Sequence, residues 1–314
     1  MKSVIECRKV TAVVVTCNRK ELLCECLRAL LSQTRLPDEV LVIDNASKDG
    51  TREAVEHFLK DERVQYFNTG SNLGGAGGFS CGICLAVERA AGRIWVMDDD
   101  CIPNADALER LLKADEGLQG QFGFLSSKVL WKDGTLSIMN LQRDTLTHTL
   151  RDFDGPMKPV VMASFVSLFL PREVVLELGL PIKEFFIRTD DWEYTRRISR
   201  KYPCYAVADS VVVHKSRANI GANIAMESVD RLDRFRYLYR NDVVLYRREG
   251  LRGFAYEAVR LPWHCLRVLL RSRDHKIERL KYIFSGTAQG LRFHPQIEYV
   301  GEQKENNCYW ETGF

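Results

Sequence analysis

Residues 10–44 read VTAVVVTCNRKELLCECLRALLSQTRLPDEVLVID. Val10–Thr16 is a near-continuous β-branched run, the composition of a strand buried on both faces. From Lys20 to Ser32 the residues Leu22, Leu23, Cys26, Leu27, Leu30 and Leu31 recur at helical spacing, and Glu39–Asp44 is a second buried strand. Strand, helix and strand in that order predict a parallel pair joined by a right-handed crossover. The pattern continues outward. A turn at Asn45–Gly50 leads to a helix over Thr51–Leu59, a strand at Val64–Asn68, a helix over Ser80–Ala91 after a glycine loop, and a strand at Arg93–Met97. This is an α/β chain with a mainly parallel sheet, and such sheets bind ligands off the carboxyl ends of their strands. Four polar segments fall there: Thr16–Arg19, Asp44–Ser47, Asn68–Gly78 and Asp98–Asp100.

The whole chain has 314 residues, 46% hydrophobic and 28% charged, with a formal net charge of +3. That composition excludes disordered, collagen-like and mucin-like classes, and the length allows one large domain with an appendage or two domains. The first apolar run is strand-sized and lacks a small-residue cleavage site, so no signal peptide is expected. Pro159–Pro171 is too short to cross a bilayer. Of ten cysteines, Cys81 and Cys84 form a lone CxxC without a second pair, which fits small buried apolar residues and a reducing, cytoplasmic compartment. Residues 231–292 hold fifteen Lys and Arg against six Asp and Glu, +9 against −6 for the remainder. This segment is either a cationic amphipathic region facing an anionic membrane or a solvated helical face, and Pro262 should kink or break its helix.

Three motifs and one loop carry the chemistry. Asp98-Asp99-Asp100 follows a buried strand, where three adjacent carboxylates repel one another and a divalent cation would relieve them. In extended chain, Asp98 and Asp100 would point one way and Asp99 the other. Around Phe185–Tyr194, Asp190 and Glu193 have the spacing of a capping box, yet three acids and two aromatics crowd that turn. A carboxylate there can accept a proton from an attacking hydroxyl. His214 ends the apolar run Val211-Val212-Val213, either as an edge histidine or as a nitrogen ligand to a metal. Residues 68–79 hold five glycines but match neither the P-loop nor the dinucleotide fingerprint.

Together, VVVTCNRKELLCECLRALLSQT, VLVIDNASKDGT, NTGSNLGGAGGF, VMDDDCIPNADAL, FFIRTDDWEYTRR, VVVHKS and YLYRND resemble the inverting family-2 glycosyltransferases of the GT-A fold. They look most like the bacterial branch of galactofuranosyl- and rhamnosyltransferases, and they cover residues 10 to about 245. The resemblance implies a GT-A nucleotide-sugar and catalytic domain over 1–225 and a basic, mostly helical region over 226–314. It implies Mn²⁺ or Mg²⁺ on Asp98, Asp100 and His214, and a catalytic base at Asp191 with Asp190 beside it. Thr16, Asn18, Arg19, Asp44 and Asn45 match the region that holds the nucleoside, and Asn72, Gly74 and Gly75 match the part that approaches the donor. Asp99 and Trp192 join the substrate-binding set, and Glu193 with Asp190 would position the acceptor. YLYRND adds to the likeness, but residue chemistry gives it no role.

The expected function is metal-dependent, inverting transfer of a sugar, first galactofuranose from UDP-galactofuranose, to a glycan or lipid-linked glycan in bacterial surface polysaccharide synthesis. The alternatives are a rhamnosyltransferase using dTDP-rhamnose and a non-catalytic nucleotide-sugar-binding scaffold. A nucleotidyltransferase would need a glycine-rich basic loop after the first strand, which Thr16-Cys17-Asn18-Arg19 lacks. No nucleic-acid partner is expected. The anticipated location is the cytoplasm, with 231–292 as the candidate contact to the inner face of the cytoplasmic membrane.

Overall fold

Every residue of β1 (Val10–Thr16) and β2 (Glu39–Asp44) is buried, which is why neither strand alternates polar and apolar residues. Alternate β1 residues enter opposite layers: Val13 and Val15 face one core with Ile83, while Ala12 and Val14 face the other with Leu23, Leu27 and Leu30. The computed structural model describes residues 9–301; the parts of the two expected regions at 1–8 and 302–314 lie outside the described residues.

Helices α1 (Lys20–Leu30), α2 (Thr51–Val55) and α3 (Gly74–Glu88) link β1, β2, β3 (Val64–Asn68) and β4 (Arg93–Asp98). These four strands are parallel, in the order β3-β2-β1-β4. Beyond them the chain adds β5 (Cys101–Pro103), α4 (Ala107–Gly117), β6 (Leu125–Trp131), β7 (Met157–Pro159), β8 (Leu168–Pro171) and α5 (Arg172–Leu178). Then come α6 (Asp190–Ser199) and β9 (Tyr205–His214). This second half of the sheet is mixed: β8 runs antiparallel to β4 and β6, β9 runs parallel to β6, and β5 and β7 pair antiparallel with β9.

The structure departs from the expected elements in three places. The helix expected from Ser80 begins at Gly74 and absorbs most of the glycine loop. A Cβ on Gly78 would lie 2.7 Å from Val15 Cγ1 and 2.8 Å from Asn45 Nδ2, and one on Gly82 only 2.4 Å from Val13 Cγ1. Glycine therefore lets α3 lie directly on β1, overriding its poor helix propensity. The helix expected over Thr51–Leu59 stops at Val55 and resumes as a 3₁₀ turn at Phe58–Lys60. The last three helices are α7 (Arg234–Arg247), α8 (Leu251–Arg271) and α9 (Lys276–Arg292), and α8 runs through Pro262 without ending. One missing backbone N–H on an exposed face is evidently tolerated there. These helices share a small core of Phe235, Tyr239, Val268 and Ile283. No helix among the described residues is long and apolar enough to cross a membrane.

Candidate active site

The strand-end acidic cluster departs from strict alternation because β4 ends at Asp98 and the chain turns through Asp99 and Asp100 before β5. Thr16 Oγ1 donates to Asp99 Oδ2 at 2.7 Å. Arg19 Nη1 bridges Asp99 Oδ1 at 3.1 Å and Asp100 Oδ2 at 2.8 Å. The β5–β9 register sets Cys101 opposite His214, which brings His214 Nε2 within 3.1 Å of Asp100 Oδ1.

Electrostatics follows from that packing. Burial, then the charges of Asp100 and Asp99, push the Asp98 carboxyl up to about 7. Burial also raises Asp99 to about 6 against the pull of Arg19. For Asp100, burial is outweighed by the hydrogen bond and charge of His214 and by Arg19, so its value falls. Burial likewise pushes His214 down, but Asp100 more than compensates and its value rises. His214 Nδ1 is buried without a hydrogen-bond partner.

Among the described residues, no group of three or more His, Cys, Asp or Glu side chains is gathered closely enough to hold a metal ion as it stands. The positive charge among the strand-end carboxylates is the Arg19 guanidinium. The donor set itself, carboxylate oxygens with one imidazole, fits a hard divalent cation, and the unpartnered His214 nitrogen and the proton-retaining Asp98 are the strains such a charge relieves.

The neighbouring loops are tied to each other. Asn18, in the left-handed region at φ +54°, accepts from the Lys48 N–H at 2.7 Å, while its own N–H donates to Ser47 Oγ at 2.8 Å. Asp44 accepts from the Ser47 N–H at 2.9 Å and from the Tyr66 hydroxyl. Asn45 Nδ2 donates to the Gly74 carbonyl at 3.0 Å, leaving its buried Oδ1 without a partner. Asn72 Oδ1 accepts from the Gly74 N–H at 2.9 Å, and Gly75 has open space where a Cβ would be.

The second acidic cluster sits at the head of α6, behind an irregular loop. Phe186 adopts φ +64°, ψ −59°, and Ile187 N–H donates to Phe185 O at 2.7 Å, a γ-turn of the strained, positive-φ kind. Arg188 and Thr189 follow at φ +72° and +67°. Non-glycine residues in such conformations cost about 1–3 kcal/mol each, and they persist only where the surroundings over-determine them. The loop is wedged against the glycine segment: Ala76 N–H donates to Phe186 O at 3.1 Å, and a Cβ on Gly74 would meet that oxygen at 2.1 Å.

The capping-box expectation fails here. Thr189 occupies the cap position, Asp190 is already helical, and no side chain caps the helix. Glu193 instead pairs with Arg197 at 2.9 Å and with Arg248, tying α6 to α7. Burial raises Asp190 to about 6. Burial, the neighbouring Asp190 and, more weakly, Asp98 drive Asp191 well above the carboxylate range, despite the Trp192 N–H donating to Asp191 Oδ1 at 2.7 Å. Asp98 adds a weaker repulsion to Asp191 from the strand-end cluster. The Arg143 guanidinium stacks 3.7 Å from the centre of the Trp192 ring.

The chain and its fold have relatives among known proteins. Residues 11–119 match the family described as Glycosyl transferase family 2. The chain is 30% identical over 274 residues to galactofuranosyltransferase GlfT1 of Mycolicibacterium smegmatis, covering 82% of this chain and 89% of that protein. It belongs to glycosyltransferase family 2. A Campylobacter jejuni protein named GalNAc(5)-diNAcBac-PP-undecaprenol beta-1,3-glucosyltransferase is 32% identical over 133 residues, 41% of each chain. Among solved structures, GalNAc-T7 with UDP, GalNAc and Mn²⁺ superposes with a TM-score of 0.58 at 15% identity, over 76% of this chain and 47% of that one. The Pyrobaculum calidifontis mannosyltransferase PcManGT with GDP-Man and Mn²⁺ gives 0.54 at 17% identity, over 91% and 76%. The fold is GT-A, and this protein is a glycosyltransferase.

Tyr66, Arg143 and Arg260 touch this region without a signal in their own sequence neighbourhoods, and Asn241-Asp242 had one only in the YLYRND likeness, which gave them no role. The polar segments Thr16–Arg19, Asp44–Ser47, Asn68–Gly78 and Asp98–Asp100, the clustered acids at 190–193 and His214 were the residues the sequence singled out in advance.

Proposed function

We propose that this glycosyltransferase moves galactofuranose from UDP-galactofuranose to a hydroxyl of a lipid-linked glycan, inverting the anomeric centre. The observation that carries this reading is the wedge between the glycine segment and the Asp191 loop at Phe186 O, with Asp191 in the field of Asp98. In this reading the segment that approaches the donor is packed directly on the loop that leads to Asp191. The donor choice rests on the GlfT1 relatives over most of the chain. The lipid-linked acceptor rests on the name of the Campylobacter relative together with the surface described below.

In this reading residues 1–225 bind the donor and residues 226–314 complete the enzyme. Thr16, Asn18, Arg19, Asp44 and Asn45 hold the nucleoside end, and Asn72, Gly74 and Gly75 lie along the donor. Asp98, Asp100 and His214 would hold Mn²⁺ or Mg²⁺. When bound, the cation supplies positive charge to the diphosphate leaving group. Asp191 takes the proton of the acceptor hydroxyl as its oxygen attacks the face opposite the leaving group, and Asp190 raises its proton affinity. Trp192, stiffened by Arg143, offers an aromatic face to a sugar.

The α8 helix presents Leu251, Phe254, Val259, Trp263, Leu266 and Leu270 to solvent, with α8 and its flanks rich in arginine. An apolar stripe edged by cations fits the headgroup layer of an anionic membrane, at its cytoplasmic face. Vesicle flotation with and without anionic lipid tests it: equal recovery removes the membrane from the proposal.

The primary experiment is thermal unfolding against UDP and dTDP, with and without Mn²⁺, followed by assay with UDP-galactofuranose and determination of the product anomer by NMR. Native-state binding raises stability by RT ln(1 + [L]/Kd). A metal-dependent shift with UDP and an inverted product are expected. A dTDP-selective shift moves the donor to dTDP-rhamnose, and no shift with any nucleotide points to a scaffold.

A further inference from the structure

The Arg240-Asn241-Asp242 triplet has no role in the chemistry so far, yet the structure sets all three side chains against the loop that carries Asp191. Successive helical residues point about 100° apart, so three in a row sweep an arc. That arc covers the loop from Glu184 to Thr189. Arg240 Nη2 donates to Glu184 O at 2.6 Å and Phe185 O at 3.1 Å. Asn241 Nδ2 donates to Phe185 O at 3.0 Å, Ile187 O at 3.2 Å and Arg188 O at 2.8 Å, while its Oδ1 accepts from Arg240 Nε at 3.0 Å. Asp242 Oδ1 accepts from Thr189 Oγ1 at 2.6 Å, and Arg260 on α8 pairs with its Oδ2 at 2.7 Å.

Resting on the reading of Asp191 as the base, we infer that Asn241 is a positioning residue that fixes the loop delivering that base. Three features support it. First, Asn241 is completely buried, so its donors serve only the loop carbonyls. Second, those carbonyls belong to the stretch in which Phe186, Arg188 and Thr189 all take positive φ, a shape the local sequence does not favour. Third, the amide fills both of its roles: its donors face carbonyl oxygens and its acceptor faces a guanidinium, which fixes its orientation. Aspartate at 241 would turn a second oxygen toward the same carbonyls, and leucine would remove the donor to Ile187 O and Arg188 O, leaving only Arg240 on Phe185 O. Thr189 is the last link before Asp190, and its hydroxyl is committed to Asp242 rather than to capping α6.

The test compares Asn241→Ala, Thr189→Val, Thr189→Ser and Asp191→Asn in the full chain. It uses steady-state kinetics with UDP-galactofuranose and the thermal shift given by UDP with Mn²⁺. An ångström of misplacement at a reacting group costs about 100-fold in rate. Asn241→Ala is therefore expected to lose about that much kcat, with donor KM within about twofold of wild type and the UDP–Mn²⁺ shift retained. Thr189→Ser, which keeps the hydroxyl, should stay near wild type, while Thr189→Val falls. A folded Asn241→Ala enzyme with wild-type kcat overturns the inference, as does parallel loss of kcat and ligand-induced stabilisation. Should Asn241→Ala not fold, equal kcat for Thr189→Val and Thr189→Ser overturns it. If Asp191→Asn keeps activity, the base assignment itself fails. An inactive Asp191→Asn beside an unimpaired Asn241→Ala sinks only the positioning role.

Discussion

Two acidic clusters lie in this site, and they are built in opposite ways. Asp98-Asp99-Asp100 emerges from a fully regular buried strand and meets the Arg19 guanidinium after β1 and the His214 imidazole at the end of β9. Asp190-Asp191 emerges from a strained loop and meets no such group: the groups acting on it are its own backbone amides, its twin and the distant Asp98. The same side chain therefore acquires two chemistries. Asp100, which faces both His214 and Arg19, is held below the usual carboxylate range and suits a cation, while Asp98 in the same cluster is pushed up to about 7 by burial and its acidic neighbours. Asp190 and Asp191, with no cation beside them, have raised proton affinity, so each, once ionised, is a stronger proton acceptor than a solvated aspartate.

The sharpest way to break this contrast is to neutralise each cluster in turn. Asp191→Asn should lower kcat by about 10³-fold or more while metal-dependent UDP binding, read by calorimetry, survives. Asp100→Ala should do the reverse, weakening Mn²⁺-dependent UDP binding by at least about 100-fold. If both variants lose binding together, the division of labour is wrong. Gly74→Ala tests the seam between the clusters. The new methyl would drive into Phe186 O, and the residue would sit at φ +72°, so a loss of about 1–3 kcal/mol is expected in denaturant unfolding, with kcat and donor KM both affected.

A smaller effect concerns pH. The native fold keeps a proton on Asp190 and Asp191 to a higher pH than the unfolded chain, whose aspartates titrate near about 4. The contribution of Asp190 is complete below that value and drains away as pH climbs through about 6, and that of Asp191, raised further, drains away at higher pH. Asp191→Asn should therefore gain stability over wild type, by about 1–2 kcal/mol at pH 8, and much less at pH 4. A gain that does not grow with pH removes the burial account. Arg19→Ala gives the mildest readout: Mn²⁺ binding without nucleotide, followed by electron paramagnetic resonance, should tighten by up to about tenfold as Asp100 is freed, while UDP binds more weakly. Unchanged Mn²⁺ affinity would show that Arg19 does not compete for the carboxylates.

The contrast also explains what could be read in advance. β1, β2 and β3 fall on the residues that their apolar runs mark, because a buried parallel strand is a local pattern. Asp98 and Asp100 stood out for the same reason: the first ends such a strand and the second lies in the turn directly after it. The glycine segment misled because its glycines read as loop, whereas contact with Val13, Val15 and Asn45 makes them helix. The positive φ of Phe186, Arg188 and Thr189 left no trace in their side chains, since aromatic and β-branched residues rarely adopt it. Nothing near residue 188 announces that Asn241, more than fifty positions later, will satisfy its carbonyl.

The Arg260–Asp242–Thr189 chain has a practical side for anyone recombining transferases of this kind. A crossover placed near residue 225 looks natural, since the sheet is finished and the helices are about to begin. Yet residues up to 225 spliced to a foreign tail would arrive with the Asp191 loop unheld, correct in every motif; on the proposed roles such a chimera is slow. The transferable module is the sheet together with the helix that grips it, so viable chimeras should place their seam after Arg260 rather than before Arg240.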